Sequence, residues 1–509
     1  MRLELALVLI LVVIAHAIHY LYTGVPFSTD VWPLIYDSRT IVENPHARIW
    51  SDREFDGYNN HWPGVILASS ILSIITSLDL YTIYGIHLVA ALTILIALLI
   101  YIYVSKLGFE KPWISIAITA SIPAWTVFTS STLKEVYCYP IALSILILPA
   151  ISMRRAIYVL IPLLALASSL AHHLATAMCI AIAVNAILLS LRDYLYGDEK
   201  ALVYARVYGA IAAIVLPIFV IYYLVYGGKP MRIDIGIDDV ATIMIYAIAV
   251  HGILALIASR GRSLSVSMRL LILALMTVSV ALCVRLDLLY GLTLPDIRSL
   301  ALYIAPVTLL LIPATRYVPI LSRSIAVCIA ILAMYIVFAK PILVGALHRV
   351  LNYIVFVFST SLYSLDTTAR KALLYLALAL CVSMTFLVQI SIDLGRDEVS
   401  FYWLYKQEDL AIGSYIARTV DHDHRILGGA KLQYLLIPVT SVYSPIQALV
   451  FKHLSADEAL AISRMEIAYG IPVALNLYKA PRLDTLLHEC SLIYLSNDWY
   501  VVEGGCRWS

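Results

Sequence analysis

Charge is scarce in this 509-residue chain: Asp, Glu, Lys and Arg make up 13% of it, against 62% hydrophobic residues. No soluble protein of this length needs so much apolar surface, which points away from the soluble classes. A formal net charge of +2 argues against nucleic acid as a partner. Cysteine is sparse and scattered, seven in all. None forms a CxxC or a Cys/His cluster, so a structural zinc has no support. The chain also lacks G-x-x-x-x-G-K-[ST], G-x-S-x-G and H-E-x-x-H. An ATP-driven pump, an α/β-hydrolase and a zincin lose support with them. Asn and Gln are few beside Ile, Leu and Tyr, a composition that leans toward a thermophile. No internal repeat is evident, which counts against inverted-repeat transporters.

What the chain has is a train of apolar runs, with a mean hydropathy of +0.89. At roughly 20 residues per crossing they predict about 11–13 spans. The expected fold is therefore an α-helical polytopic protein of the cell membrane. The first run follows Arg2 and Glu4 and reaches about Tyr22. No small-residue cleavage site follows it, so it reads as a retained helix rather than a signal peptide. The later runs cover 80–104, 113–129, 136–152, 156–171, 174–191, 203–226, 240–259, 270–284, 300–313, 320–338 and 372–393. The stretches 62–78 and 341–358 can either span or lie at the interface.

Two domains are expected, a membrane domain over 1–394 and a soluble one over 395–509. Past Leu394 the texture becomes globular. Glu408 to Val420 reads as an amphipathic helix, and Arg425 to Gly429 and Leu492 to Ser496 read as buried strands. This part is expected to be a small α/β domain. Cys490 and Cys506 both fall in it and can pair if it is extracytoplasmic. Cys138, Cys179, Cys283, Cys328 and Cys381 lie in apolar runs, where cysteine behaves as a small hydrophobe.

Arg2, Lys106, Lys111, Arg154, Arg155, Arg192, Lys200, Arg260 and Arg262 alternate with loops poorer in basic residues. If they are cytoplasmic, the first loop faces outside. The turns at Lys134-Glu135, His172-His173, Gly227 to Asp239 and Arg285 to Arg298 share that side. The C-terminal domain lies outside as well if 341–358 spans, which leaves Arg370-Lys371 inside.

The polar loop 22–61 is the expected chemical centre. It is too long for a mere connector and too aromatic for a disordered one. Asp30 stands just beyond the first helix, between Thr29 and Trp32. A carboxylate there can act as a base, hold a metal or bind substrate hydroxyls. The competing reading is a helix cap among interfacial aromatics. Asp37, Glu43, Asp52, Glu54 and Asp56 face Arg39, Arg48 and Arg53, and a net acidic loop suits sugars or cations. Lys134-Glu135 is a second charged pair, either a site for phosphate or a snorkelling lysine with a surface partner. His172-His173 sits between two apolar runs. Adjacent histidines point to different helix faces, so one metal is hard for both to share. Arg298, at the outer start of an apolar helix, can anchor a lipid phosphate or snorkel. Asp238-Asp239 reads as a helix N-terminus, and Asp421 to His424 as a surface turn.

A first helix, a long outer loop opening on Asp30, the stretch His61-Trp62-Pro63-Gly64 and many spans together resemble the GT-C superfamily. These membrane glycosyltransferases use polyprenyl-phosphate-linked sugars. Glu135 falls where such enzymes often carry another acid. The resemblance covers the chain to about Leu191 by residues and the remainder by topology. It implies sugar transfer on the outer face to a lipid, glycan or protein acceptor, with membrane lipids as surroundings. It implies Asp30 and Glu135 as catalytic residues. Lys134, Arg298, His172, His173, Trp32 and His61 become substrate contacts. The one cofactor it raises is a divalent metal, Mg or Mn. The chain departs from many members in having Val31, not a second acid, after Asp30. It also lacks a WWD-type signature. The rival reading is a transporter or flippase of a lipid-linked or anionic solute. That rival predicts charges near the midplane, whereas here they gather at span ends.

Overall fold

A computed structural model describes residues 2–109, 111–120, 122–151, 156–228, 236–259, 319–339, 347–353, 355–356, 379, 382–383, 385–395, 402–419, 425–436, 442–469, 471–473, 476–496 and 498–508. The expected spans 270–284 and 300–313 lie outside the described residues. The chain divides into two compact units. A bundle unit gathers Met1–His16, His61–Val65 and Val89–Val388, and a sheet unit gathers Ala17–Asn60, Ile66–Leu88 and Gln389–Ser509.

The helices begin with α1 (Arg2–Thr23), α2 (Val31–Glu43) and α3 (Gly64–Thr76). The long α4 (Leu80–Lys106) carries a π-turn at Ile83–His87. Next come α5 (Pro112–Thr119), α6 (Pro123–Thr129), α7 (Lys134–Ile151) and α8 (Ala156–Ala171). They are followed by α9 (His173–Leu195), α10 (Ala201–Gly227), α11 (Ile237–Ser259), α12 (Ile320–Phe338) and the short α13 (Leu347–Asn352). Among the described residues four helices are long and apolar enough to cross a membrane: Leu3–Thr23, Leu80–Lys106, His173–Leu195 and Ala201–Gly227. The chain is a multi-pass membrane protein. Leu3, Leu7, Ile10 and Leu11 of α1 remain exposed, as side chains facing lipid must be when hydrocarbon is the solvent.

Two expectations change. The run 113–129 is not one helix but α5 and α6, because Pro112 and Pro123 each open a helix of their own; a proline fits the first turn, where its missing N–H is no loss. The polar loop is not all loop either. It contains the 13-residue α2, whose Val31, Trp32, Leu34 and Ile35 are buried.

The bundle packs through small residues. Cys138, Ala171 and Ala175 form one buried cluster of α7, α8 and α9. The Ser168 hydroxyl meets that of Thr176 at 2.7 Å. Small side chains let helices approach closely where lipid supplies no hydrophobic drive.

The sheet unit continues with α14 (Gln407–Thr419) and β1 (Arg425–Gly428), followed by α15 (Ala430–Leu436), β2 (Val442–Tyr443), α16 (Ile446–Phe451) and β3 (His453–Leu454). It goes on through β4 (Glu458–Ser463), α17 (Arg464–Tyr469), β5 (Ile471–Val473), β6 (Asn476–Tyr478), α18 (Leu483–Glu489), β7 (Ser491–Leu495), β8 (Trp499–Glu503) and β9 (Cys506–Arg507). Five strands form a mixed sheet in the order β2-β1-β4-β8-β7. The β2-β1-β4 part is parallel and β4-β8-β7 antiparallel. Strand residues alternate between faces. Leu460, Ile462 and Val502 enter a core that includes the Cys490–Cys506 disulfide. Ala459, Ala461, Trp499 and Val501 enter the opposite core with Ile412 and Ile416 of α14 and Leu432 of α15. The helix and both strands read from the sequence are present, but the second strand, β7, is not buried: at the edge of the sheet its Leu492, Ile493 and Leu495 are exposed.

A charged network is buried around Asp409 in this unit. Asp409 accepts from Lys431 Nζ at 2.8 Å, Trp499 Nε1 at 2.7 Å and the Lys406 N–H at 2.8 Å.

Candidate active site

Asp30 occupies the N-cap position of α2, at φ −68° and ψ −9°, and makes no capping hydrogen bond. The helix-cap reading holds for its position but not for its side-chain bonding. A capping Asp normally takes extended backbone, which turns its oxygen onto the N–H two or three residues on. The residues around Asp30 are buried and strained. Ser28 is fully buried at φ 89°, and a non-glycine residue there costs about 1–3 kcal/mol. Its N–H donates to the Trp403 carbonyl at 2.8 Å. The Trp32 ring packs on Tyr405 at 4.9 Å and Tyr81 at 5.7 Å. Ser28 Oγ and Trp32 Nε1 are buried without a hydrogen-bond partner among the described residues, each a further penalty of about 1–3 kcal/mol.

The other acids of this segment fold it. Asp56 accepts from the Tyr58 N–H at 2.9 Å, the Asn59 N–H at 2.6 Å and the Asn59 side-chain amide. Asp37, fully buried, accepts from the Asp56 N–H at 3.3 Å. Asp52 takes the Asn60 amide at 3.1 Å and Glu54 the Arg48 N–H at 3.0 Å. These four carboxylates bind the backbone and amides of their own segment.

In the bundle unit Lys134 and Glu135 open α7 and are 9% and 2% exposed. The snorkelling reading of Lys134 is corrected, since a snorkelling head stays in water. Tyr139, one turn on, donates its hydroxyl to Glu135 Oε1 at 2.9 Å. Arg349 of α13 reaches Glu135 Oε2 at 3.6 Å. The Tyr139 ring stacks on Trp125 at 5.1 Å and meets Tyr353 edge-on at 5.4 Å.

His172 does not lie on a helix face. It is the N-cap of α9, with extended backbone, and its Nδ1 accepts from the Ala175 N–H at 3.3 Å. The expectation that the two histidines diverge is corrected: their rings sit 4.6 Å apart. Lys134 and Arg349 are close enough for their charges to act on both imidazoles. Trp62, fully buried, packs on His173 at 5.0 Å and Tyr222 at 5.7 Å. The Tyr222 hydroxyl donates to the His61 carbonyl at 2.7 Å. Gly227, in the π-turn that ends α10, is required here, because a Cβ would lie 2.5 Å from the Trp62 ring.

The structure thus joins Lys134, Glu135, His172 and His173 in one cluster within the bundle unit. Asp30 and Trp32 form a second group within the sheet unit. Arg298 lies outside the described residues, as do Arg285, Asp287, Asp296 and the run 421–424. Asp239 accepts from the Gly236 N–H at 3.0 Å at the start of α11. Among the described residues no three His, Cys, Asp or Glu gather as a metal-binding group. Sequence reasoning missed Arg349. Its signal was an arginine inside the apolar stretch 341–358, and an ionisable residue in such a run is a functional candidate by default.

No protein-family model and no curated protein matches the chain. Solved structures do. The Archaeoglobus fulgidus oligosaccharyltransferase, crystallised with Zn and sulfate, is similar at a TM-score of 0.52 and 14% identity, over 98% of this chain and 73% of its own. The chain has a GT-C-like fold. ArnT from Cupriavidus metallidurans gives TM-scores of 0.38 bound to undecaprenyl phosphate and 0.35 in the apo state, at 12% and 14% identity. Each comparison covers 98% of this chain and 97% of ArnT. Those two matches are too loose to carry an argument. The GT-C-like likeness is one of fold, a helical membrane part with a small C-terminal mixed sheet.

Proposed function

We propose that the protein transfers a sugar from a polyprenyl-phosphate-linked donor to a lipid, glycan or protein acceptor on the outer membrane face. The observation that supports this best is the charged cluster at one end of the apolar α7, where the buried Lys134 and Glu135 lie with the partly exposed Arg349. A polyprenyl-phosphate sugar is a phosphodiester with one negative charge. When its sugar–oxygen bond breaks, the departing lipid phosphate gains a second. Cations fixed where that charge develops stabilise the transition state more than the ground state.

Asp30 takes the proton of the acceptor hydroxyl, and the hydroxyl oxygen forms the new bond to the sugar. The old bond to the phosphate oxygen breaks, and the electron pair leaves with the lipid phosphate. Lys134, Arg349 and Arg298 hold that phosphate. Glu135 assists and keeps Arg349 in place, while His172, His173, Trp32 and His61 line the substrates. The oligosaccharyltransferase neighbour was crystallised with Zn. The described residues here offer no three-ligand group, and no step above runs through Mg, Mn or any other metal.

Purified protein is given labelled polyprenyl-phosphate sugars, and sugar transfer and lipid-phosphate release are both measured. Asp30→Asn is expected to lower transfer by roughly 100- to 10,000-fold, the range of a general base, with membrane insertion intact. Full activity in that variant would sink the assignment. Donor movement across vesicles without phosphate release would mark a transporter instead.

A further inference from the structure

The C-terminal part of the sheet unit does more than accompany the membrane helices: the geometry points to it as the positioning device for Asp30. The inference rests on the reading of Asp30 as the base. Tyr405 and Trp403 are the positioning residues, acting through the segment 27–32.

Both ends of that segment are gripped. At its start, Phe27 stacks on His19 at 4.0 Å and meets Trp403 edge-on at 5.7 Å. His19 is itself fixed, since its Nδ1 lies 2.6 Å from Asp393 Oδ1. The adjacent Ser28 N–H is tied to the Trp403 carbonyl. Beyond Asp30, the Trp32 ring rests on Tyr405. Tyr405 is fully buried and donates its hydroxyl to the Lys431 carbonyl at 3.0 Å. The Lys431 ammonium lies over the Tyr405 ring, 5.0 Å from its centre, while bridging to Asp409. The chain of contacts therefore runs from Trp32 through Tyr405 and Lys431 to Asp409 and Trp499 of β8. The Asp30 carboxylate is close enough to Tyr405 for its charge to act on that hydroxyl.

A positive φ at Ser28 and two buried, unsatisfied donors flank Asp30. Such features persist only where the surroundings over-determine them, and they concentrate at functional sites. The Trp403–Tyr405 clamp is the surrounding structure that does so. A base that must meet an acceptor hydroxyl needs this, because an error of about 1 Å in placement can cost roughly 100-fold in rate.

The test uses the full chain in lipid nanodiscs, with a short-chain polyprenyl-phosphate mannose as probe and release of polyprenyl phosphate as the activity. Tyr405→Ala is expected to lower kcat by roughly 10- to 100-fold with the donor KM within about twofold. Hydrogen exchange of the amides at 28–32 should quicken while that of β4 stays unchanged. Tyr405→Phe, which keeps the ring, should restore most of kcat. Trp403→Ala leaves the Asp409 network intact and carries the same expectation should Tyr405→Ala unfold the sheet. Unchanged exchange at 28–32 in both alanine variants, or unchanged kcat, overturns the inference. Asp30→Asn separates the two readings. If it is inactive with normal exchange, the base assignment stands. If it is active, the base assignment fails, and exchange at 28–32 alone then decides whether the clamp orders the segment.

Discussion

The two units treat buried charge in opposite ways. In the sheet unit Asp409 is saturated, by Lys431, by Trp499 and by a backbone N–H. Glu466 takes the Ser463 N–H at 2.7 Å while Ser463 Oγ accepts its own N–H at 3.1 Å, a reciprocal cap on α17. In the bundle unit Arg349 reaches Glu135 at 3.6 Å, and the charges of Lys134 and Arg349 act on the imidazoles of His172 and His173. A saturated pair has its energy spent on architecture. The bundle cluster is the one to which the proposed function gives a role in transfer. On the proposed function, the contrast separates charges that hold the fold from charges that act on substrate.

The sharpest way to break this contrast is to remove one cation from each unit. Arg349→Met is expected to lower lipid-phosphate release by roughly 100- to 1000-fold, the size of losing one transition-state donor, with little change in stability. Lys431→Met strands a buried Asp409 and is expected to destabilise the sheet unit by about 3–5 kcal/mol, read as a lower denaturation midpoint. If Arg349→Met loses stability but keeps turnover, the bundle cluster is architecture too, and the contrast collapses.

Glu466 sharpens the comparison through pH. Burial pushes its carboxyl up from 4.5 to about 7, against the lowering pull of Ser463 and of the Lys431 charge; Asp409 adds to the rise. The folded unit therefore binds a proton that the unfolded chain releases near pH 4.5. This stabilisation is fully present below pH 4.5 and is lost as pH rises through about 7. The loss amounts to about 3 kcal/mol. Denaturation midpoints measured from pH 4.5 to 8 should fall accordingly, and Glu466→Gln should flatten that slope. An unchanged slope in the variant would mean the group does not titrate in this range.

Much of this was legible in the sequence, and the exceptions have physical causes. Apolar runs and the globular tail gave the membrane part and the small sheet, because hydrophobic length and strand alternation are local signals. Pro112 and Pro123 were also readable, yet the run 113–129 is apolar throughout, and hydropathy alone does not see a break. Lys134-Glu135 was recognisable as a pair, but its burial was not, since burial depends on distant helices. Arg349 lies 214 positions from Glu135 in the chain (349 minus 135), and no spacing rule joins them. The acids of the first loop misled for the opposite reason. Their partners are backbone N–H groups and asparagine amides of the same segment, between 2 and 19 residues away, which composition does not display.

The smallest effect tests the same contrast from the acid side. Tyr139→Phe removes the hydroxyl that donates to Glu135 but keeps the ring packed on Trp125 and Tyr353. A hydrogen bond to a charged group is worth about 1.5–3 kcal/mol. If Glu135 serves the reaction by steering Arg349, the loosened carboxylate should lower kcat by roughly tenfold, less than the loss of Arg349 itself. The thermal midpoint should barely move, because the ring still fills its space. Measured beside Tyr405→Phe, which also trades one hydroxyl for none, the pair isolates location as the variable. In the bundle unit the hydroxyl touches a carboxylate to which the proposed function gives a part in transfer, and turnover should respond. In the sheet unit it donates to the Lys431 carbonyl, and turnover should hold.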